Sequence, residues 1–218
     1  MTIDQAYKFV QFVLNKDQSG YISPDQFNNI APIAQMALIN DRIGNVKRYR
    51  QDHPIPMYGF GMNQKTREEL RMLLVKPTNL TVTAGVATIP NDYLYYDTLA
   101  VSGKQAQECT EDEIVELLNS KIKPPTAMFP KVVVHSNGFN VYPTNSSALT
   151  VSYLRKPATP KWNYTGNPAV YNPTGSQDFE TSETTHLEIC NRILQFCGLN
   201  LKLDEIVQWS EMAEQTGK

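Results

Sequence analysis

Apolar residues recur at three- and four-residue intervals at both ends of the chain and at alternate positions in its middle. Ile3, Ala6, Phe9, Val10, Val13 and Leu14 predict a helix over 2–15. Ser23 followed by Pro24 marks the next helix start, a side-chain acceptor and then a residue whose missing N–H costs nothing there. Phe27, Ile30, Ala34, Ala37 and Leu38 carry that helix to about Ile43, with Gly44 as terminator and Pro32 expected to kink or restart it. The two segments predict an N-terminal helical hairpin over 1–50. Residues 51–77 read as a loop rich in Pro, Gly and aromatics, then a short helix opened by a Thr66–Glu69 capping box.

From Thr78 the period changes from helical to alternating. Leu80–Thr83, Val86–Ile89, Tyr93–Val101, Lys131–His135, Phe139–Tyr142 and Leu149–Leu154 read as strands, and Asn137-Gly138 is a hairpin signal. Thr110–Glu113 is a second capping box, opening an inserted helix with Ile114, Leu117 and Leu118 on one face. Residues 78–155 are thus a central β-rich region, sandwich-like and antiparallel. Residues 156–181 hold four of the 14 prolines and little periodicity, which predicts an extended connector arm. Residues 182–218 predict C-terminal helices, one from about Ser182 to Phe196 ended by Gly198, and a shorter one over Asp204–Gln215. The expected class is α+β: helical hairpin and C-terminal helix packed with the β-rich region, plus long extended arms.

Composition narrows the function. The 218 residues carry 20 basic and 22 acidic side chains, a net charge of −2 that argues against a chain built mainly to grip phosphates. No run of about 18 apolar residues predicts a membrane span, and the N-terminus lacks the pattern of a signal peptide. Cys109, Cys190 and Cys197 read as buried free thiols, because the last two are seven apart on one predicted helix, about 10 Å along its axis.

Asn15–Gln26 resembles an EF-hand calcium loop, with Asn15, Asp17, Ser19 and Tyr21 at coordinating positions, Gly20 at the turn and Ile22 at position eight. Position one is Asn15 rather than aspartate, and position twelve is Gln26 where a bidentate glutamate is needed. Asp17 alone brings formal charge. The favoured reading is a joint between helices: Gly20 turns the chain, Ser23 and Pro24 start the next helix, and Tyr21, Ile22 and Phe27 anchor it. A calcium-responsive binding protein is the alternative.

Catalytic signals are sparse. There is no G-x-S-x-G elbow and no P-loop, and Gly59–Gln64 has two of the three glycines of a dinucleotide loop. His186 and Cys190 share a helix face without a second pair of zinc-like spacing, and read as a surface histidine beside a core thiol. An enzyme built on His186, Cys190 or Cys197 is the weaker hypothesis, and no cofactor is expected. The carboxylate pairs Glu68/Glu69 and Glu111/Asp112 suit first helical turns. Lys47, Arg48 and Arg50 form the basic cluster, read as a solvated helix end or as a contact for DNA or an acidic partner.

Several segments together resemble a known family. Asn15–Asn28, Ala87–Leu94, Asn137–Pro143, Val151–Pro157 and the C-terminal helix are similar to structural proteins of crAss-like and related short-tailed (podovirus-type) phages, and the helices around a β-rich middle resemble head-to-tail connector or tail adaptor subunits. That resemblance implies a non-enzymatic subunit of a homo-oligomeric ring of twelve. The ring would dock on the portal and neighbouring tail or neck proteins and let genomic DNA pass, in a virion assembled in the bacterial cytoplasm. Arms at 51–62 and 156–181 would reach neighbours, and the loop aromatics Tyr58, Phe60, Trp162, Tyr164 and Tyr171 would suit interfaces.

Overall fold

The computed structural model describes residues 1–16, 21–44 and 64–201. They divide into two compact units: a strand unit, Leu74–Lys156, and a helical unit drawn from the described residues on either side of it. The fold is α+β, as expected.

In the helical unit, α1 spans Ile3–Lys16 and α2 spans Pro24–Gly44. Ile3, Ala6, Tyr7, Val10 and Leu14 of α1 are buried with Phe27, Ala31, Ala34 and Leu38 of α2. Pro32 does not restart α2, which runs continuously through it. α3 (Gln64–Leu70) leads into a 3-10 turn over Arg71–Leu73. Thr66 therefore lies inside α3 rather than at its N-cap. A 3-10 turn over Glu183–Thr185 precedes α5, which spans His186–Leu201. The last helix thus starts later than Ser182 and runs through Gly198, because its buried face, Ile189, Cys190, Ile193, Leu194 and Cys197, packs against both α1 and α2. The predicted helix over Asp204–Gln215 lies outside the described residues.

The connector 156–181 is not an extended arm. It folds back on itself: Lys161 and Gln177 exchange N–H···O bonds of 2.9 and 2.8 Å, and β9 (Tyr164–Thr165) pairs with β10 (Val170–Tyr171). Trp162 and Phe179, at the base of this fold-back, are buried in the helical core.

The strand unit begins at Leu74, four residues earlier than the alternation predicts. β1 (Leu74–Thr83) shifts register between Val75 and Thr78, so Pro77 sits at an irregularity where no ladder N–H is required. β2 (Val86–Ala87) follows a two-residue turn at Ala84 and Gly85, both at positive φ. β3 is Tyr93–Val101, β4 Lys104–Gln105, β5 Gln107–Glu108, β6 Lys131–His135, β7 Gly138–Tyr142 and β8 Ala148–Arg155. The β6–β7 hairpin is present, but its turn is Ser136-Asn137, since His135 pairs with Gly138.

The sheet order is β4-β3-β8-β1-β2-β7-β6-β5. Its two ends are consecutive in the chain. Lys104 and Gln105 pair with β3, and Gln107 and Glu108 pair with β6. Between them the Ala106 N–H donates to the Leu99 carbonyl at 2.9 Å. This five-residue stretch brings the edges together, so the sheet is a nearly closed barrel rather than a sandwich. Alternate residues of its longer strands point inward, among them Leu99 and Val101, Phe139 and Val141, and Leu149, Val151 and Tyr153, all buried in one core. Not all pairing is antiparallel. β5 and β6 run parallel, which requires a crossover, and the crossover carries α4 (Glu111–Asn119).

Candidate assembly surface

The joint after α1 is built on reciprocal capping. The Ser23 hydroxyl accepts from the Gln26 N–H at 3.2 Å, while the Gln26 side-chain oxygen accepts from the Ser23 N–H at 2.9 Å. This is the capping-box arrangement, with glutamine in the third helical position. It gives Gln26 a reason independent of any ion. Pro24 is the first residue of α2, and Phe27 is fully buried against the Tyr7 ring, centroids 5.1 Å apart. Ile22 is buried, and its carbonyl accepts from the Tyr7 hydroxyl at 3.2 Å. Tyr21 is 62% exposed and so does not anchor the joint as a core residue. Burial is the main reason the Tyr7 phenol is raised far above its ordinary pKa. Asn15 lies exposed in the last turn of α1. Asp17, Ser19 and Gly20 lie outside the described residues.

Trp162 is a core residue, not an exposed interface aromatic. It is 4% exposed, packs on Tyr7 with centroids 4.3 Å apart, and donates its indole N–H to Asp4 at 3.1 Å. Its backbone exchanges two bonds with the Asn28 side chain, 2.7 Å for its N–H and 3.0 Å for its carbonyl. Tyr164 and Tyr171 stack against the Trp162 ring and are only partly exposed. These three aromatics hold the connector to α1 and α2. Tyr58, Phe60, Lys47, Arg48 and Arg50 lie outside the described residues.

His186 is also inside, where a surface position was expected. Its Nε2 meets the Thr181 carbonyl at 3.1 Å, and because a carbonyl only accepts, that nitrogen carries the proton. Burial lowers the His186 pKa, opposed by the bond to Thr181. Cys190 and Cys197 are buried, with burial pushing their thiols up to about 12 and about 11. Such groups are thiols rather than thiolates at neutral pH, and a thiol is a poor nucleophile. Among the described residues no group of three or more His, Cys, Asp or Glu could hold a metal ion.

The feature that sequence reasoning missed lies on the strand unit. α4 is closed at its start by Thr110 and Glu113, with both halves of the capping box present. Its hold on the barrel comes chiefly through Ile114, buried with Cys109 and Val133 and packed against by Tyr142. His135 Nε2, at the far end of β6, meets Glu111 at 2.5 Å. The helix therefore runs back toward the beginning of β6, where residues 126–129 form a turn directly before that strand. Along this path the apolar side chains face water: Val115 is 55% exposed, Leu118 54%, Ile122 88%, Met128 62% and Phe129 74%. Leu118, expected on one face with Ile114 and Leu117, is exposed while Ile114 is buried, and Ser120 leaves the helical conformation, so Ile122 lies in the segment beyond α4. Each of the five is more than half exposed, together on the order of 500 Å² of apolar surface distributed over α4, the segment after it and the 126–129 turn.

Comparison with family models and with curated proteins finds no match to this chain.

Proposed function

We propose that this protein is a non-catalytic structural subunit that assembles with copies of itself into a ring, the ring belonging to the head-to-tail connector of a short-tailed phage. The exposed apolar side chains Val115, Leu118, Ile122, Met128 and Phe129 support the assembly part of this reading. Roughly 500 Å² of apolar surface is close to the apolar share of one side of a standard protein interface, about 800 Å² per partner and somewhat over half apolar. Exposed apolar surface on this scale is often functional. The resemblance of the Asn15–Asn28 joint and the later segments to phage connector proteins supplies the particular assembly. In that role the ring joins the portal to the tail and leaves an opening for DNA. Buried, protonated thiols are consistent with a protein that works by contact rather than by chemistry.

Mass photometry of the purified chain, alone and mixed with the cognate portal protein, tests this. The expected result is a particle of about twelve subunit masses in at least one condition. A chain that stays monomeric in both overturns the reading.

A further inference from the structure

The β6–β7 hairpin turns through Ser136 and Asn137, both exposed, and the one Asn-Gly pair of the chain closes that turn. The fold dictates the glycine. A Cβ at 138 would lie 2.6 Å from the Ala87 carbonyl oxygen, so the approach of β2 to β7 excludes a side chain there. Backbone conformation does not dictate the asparagine. Asparagine is favoured in turns where φ is positive, but in this barrel the non-glycine residues at positive φ are Ala84 and Ser102, and Asn137 is not among them.

What the pair brings is reactivity. An asparagine side-chain carbonyl is an electrophile that the backbone nitrogen of the next residue reaches by closing a five-membered ring. A side chain on that next residue crowds the approach, and position 138 can carry none. Exposure of Asn137 lets water reach the ring and ammonia leave. We infer that Asn137-Gly138 is a self-modification site, where asparagine converts to aspartate and isoaspartate without an enzyme. The Gly138 nitrogen loses its proton to solvent and attacks Asn137 Cγ. The bond from Cγ to the side-chain nitrogen breaks, and that nitrogen leaves as ammonia. Water then opens the cyclic imide at one of its two carbonyls. Cleavage between Cγ and the Gly138 nitrogen gives aspartate, and cleavage between the main-chain carbonyl carbon and that nitrogen gives isoaspartate. One water is consumed, one ammonia is released, and nothing is oxidised or reduced. Gly138 pairs with His135 in the ladder, so attack draws on opening of the hairpin at its tip, a local event far smaller than unfolding of the barrel.

Either product adds a negative charge two residues from His135, whose ring meets Glu111 at 2.5 Å. Isoaspartate also lengthens the backbone of the turn by one methylene, and that turn sets the pairing from Lys131↔Tyr142 to His135↔Gly138. The hairpin therefore loosens as the protein ages.

The test incubates the full chain at pH 7.4 and 37 °C, folded and in urea, followed by peptide mass mapping and by enzymatic methylation that counts isoaspartate. The expected result is a mass gain equal to exchange of an amide NH2 for OH on the peptide holding Asn137, with both products present. The folded rate should be no slower than about one-hundredth of the rate in urea, the range set by opening at a hairpin tip. Asn137→Gln, checked for folding by circular dichroism, should show no gain on this peptide, because its longer side chain does not form the five-membered ring. A folded chain that stays unconverted, or converts more slowly than that bound, overturns the inference. Aspartate without isoaspartate also overturns it, since direct hydrolysis would then replace ring closure.

Discussion

Ser23 and Gln26 close each other's hydrogen bonds at the start of α2, hydroxyl to N–H in one direction and amide oxygen to N–H in the other. A segment that reads like a calcium loop therefore ends in a helix cap. Removing either side chain leaves one orphan N–H at the helix start, so Ser23→Ala and Gln26→Ala should each cost about 1 kcal/mol. Gln26→Glu preserves the cap and adds a favourable charge at the helix N-terminus, so its Tm should equal or slightly exceed that of wild type. Calcium at millimolar concentration should leave the wild-type Tm unchanged, since Asp17 is the one charged side chain at the coordinating positions. Thermal melts of the four proteins, with calcium and with chelator, check this.

A second prediction concerns the clamp that ties three helices together. Arg42 on α2 donates to Glu69 on α3 at 2.6 Å and also bonds Glu188 on α5. The Glu69 side chain is 7% exposed, and without Arg42 its buried carboxylate is left with the longer ion pair to Lys65 at 3.9 Å. Arg42→Met should destabilise the helical unit by about 3 kcal/mol. Adding Glu69→Gln to Arg42→Met should recover part of that loss, because the stranded charge is removed with its partner. Urea unfolding of both single variants and the double variant measures the coupling; additive losses would remove the clamp from the account.

How much of this was legible depends on the range of the forces involved. The helices over Ile3–Lys16 and Pro24–Gly44, the cap at Thr110 and the strand over Tyr93–Val101 follow from neighbours within a few residues, and periodicity found them. Trp162 lies in a proline-rich stretch with no period, and its burial depends on Asp4, Tyr7 and Asn28, more than 130 residues away. Barrel closure was equally hidden. It depends on Lys104–Glu108 dividing its bonds between two strands, and nothing local in Lys-Gln-Ala-Gln-Glu announces that division. The exposure of apolar side chains on and after α4 was hidden for a related reason. Ile114, Leu117 and Leu118 have helical spacing, but which of them is covered is decided by what the fold sets against the helix, and Ile114 is buried while Leu118 is not.

Gly138 supplies a third prediction, this time for the barrel. A Cβ there would lie 2.6 Å from the Ala87 carbonyl oxygen and 2.9 Å from a Val86 methyl, so β2 and β7 approach more closely than any side chain permits. Gly138→Ala should cost about 1–3 kcal/mol through forced separation of the two strands. It should also perturb near-ultraviolet circular dichroism, because Phe139 next to it packs edge-on against Tyr93 at 5.6 Å. Gly103→Ala is the matched control. Its φ of +76° imposes backbone strain, but a Cβ there meets nothing within 4 Å, so the near-ultraviolet spectrum should stay as in wild type.

The last prediction follows from His186, whose burial holds its pKa below the ordinary value of 6.5. In the folded chain the neutral ring is favoured, while the unfolded chain takes up a proton at the ordinary pKa. The unfolded state therefore binds more protons as pH falls through about 6.5, and stability drops with it. The contribution is fully present above 6.5 and is lost progressively toward and below the depressed folded pKa. Replacing the ring by an amide, His186→Gln, removes the titration, although it also costs some packing against Phe179, whose ring lies 5.8 Å away. Urea midpoints at pH 7.5 and 5.5 should differ more for wild type than for His186→Gln, even though the variant is the less stable protein at pH 7.5. Carboxylates elsewhere contribute equally to both proteins and cancel in the comparison, so equal pH sensitivity would show that the buried imidazole is not a source of acid lability.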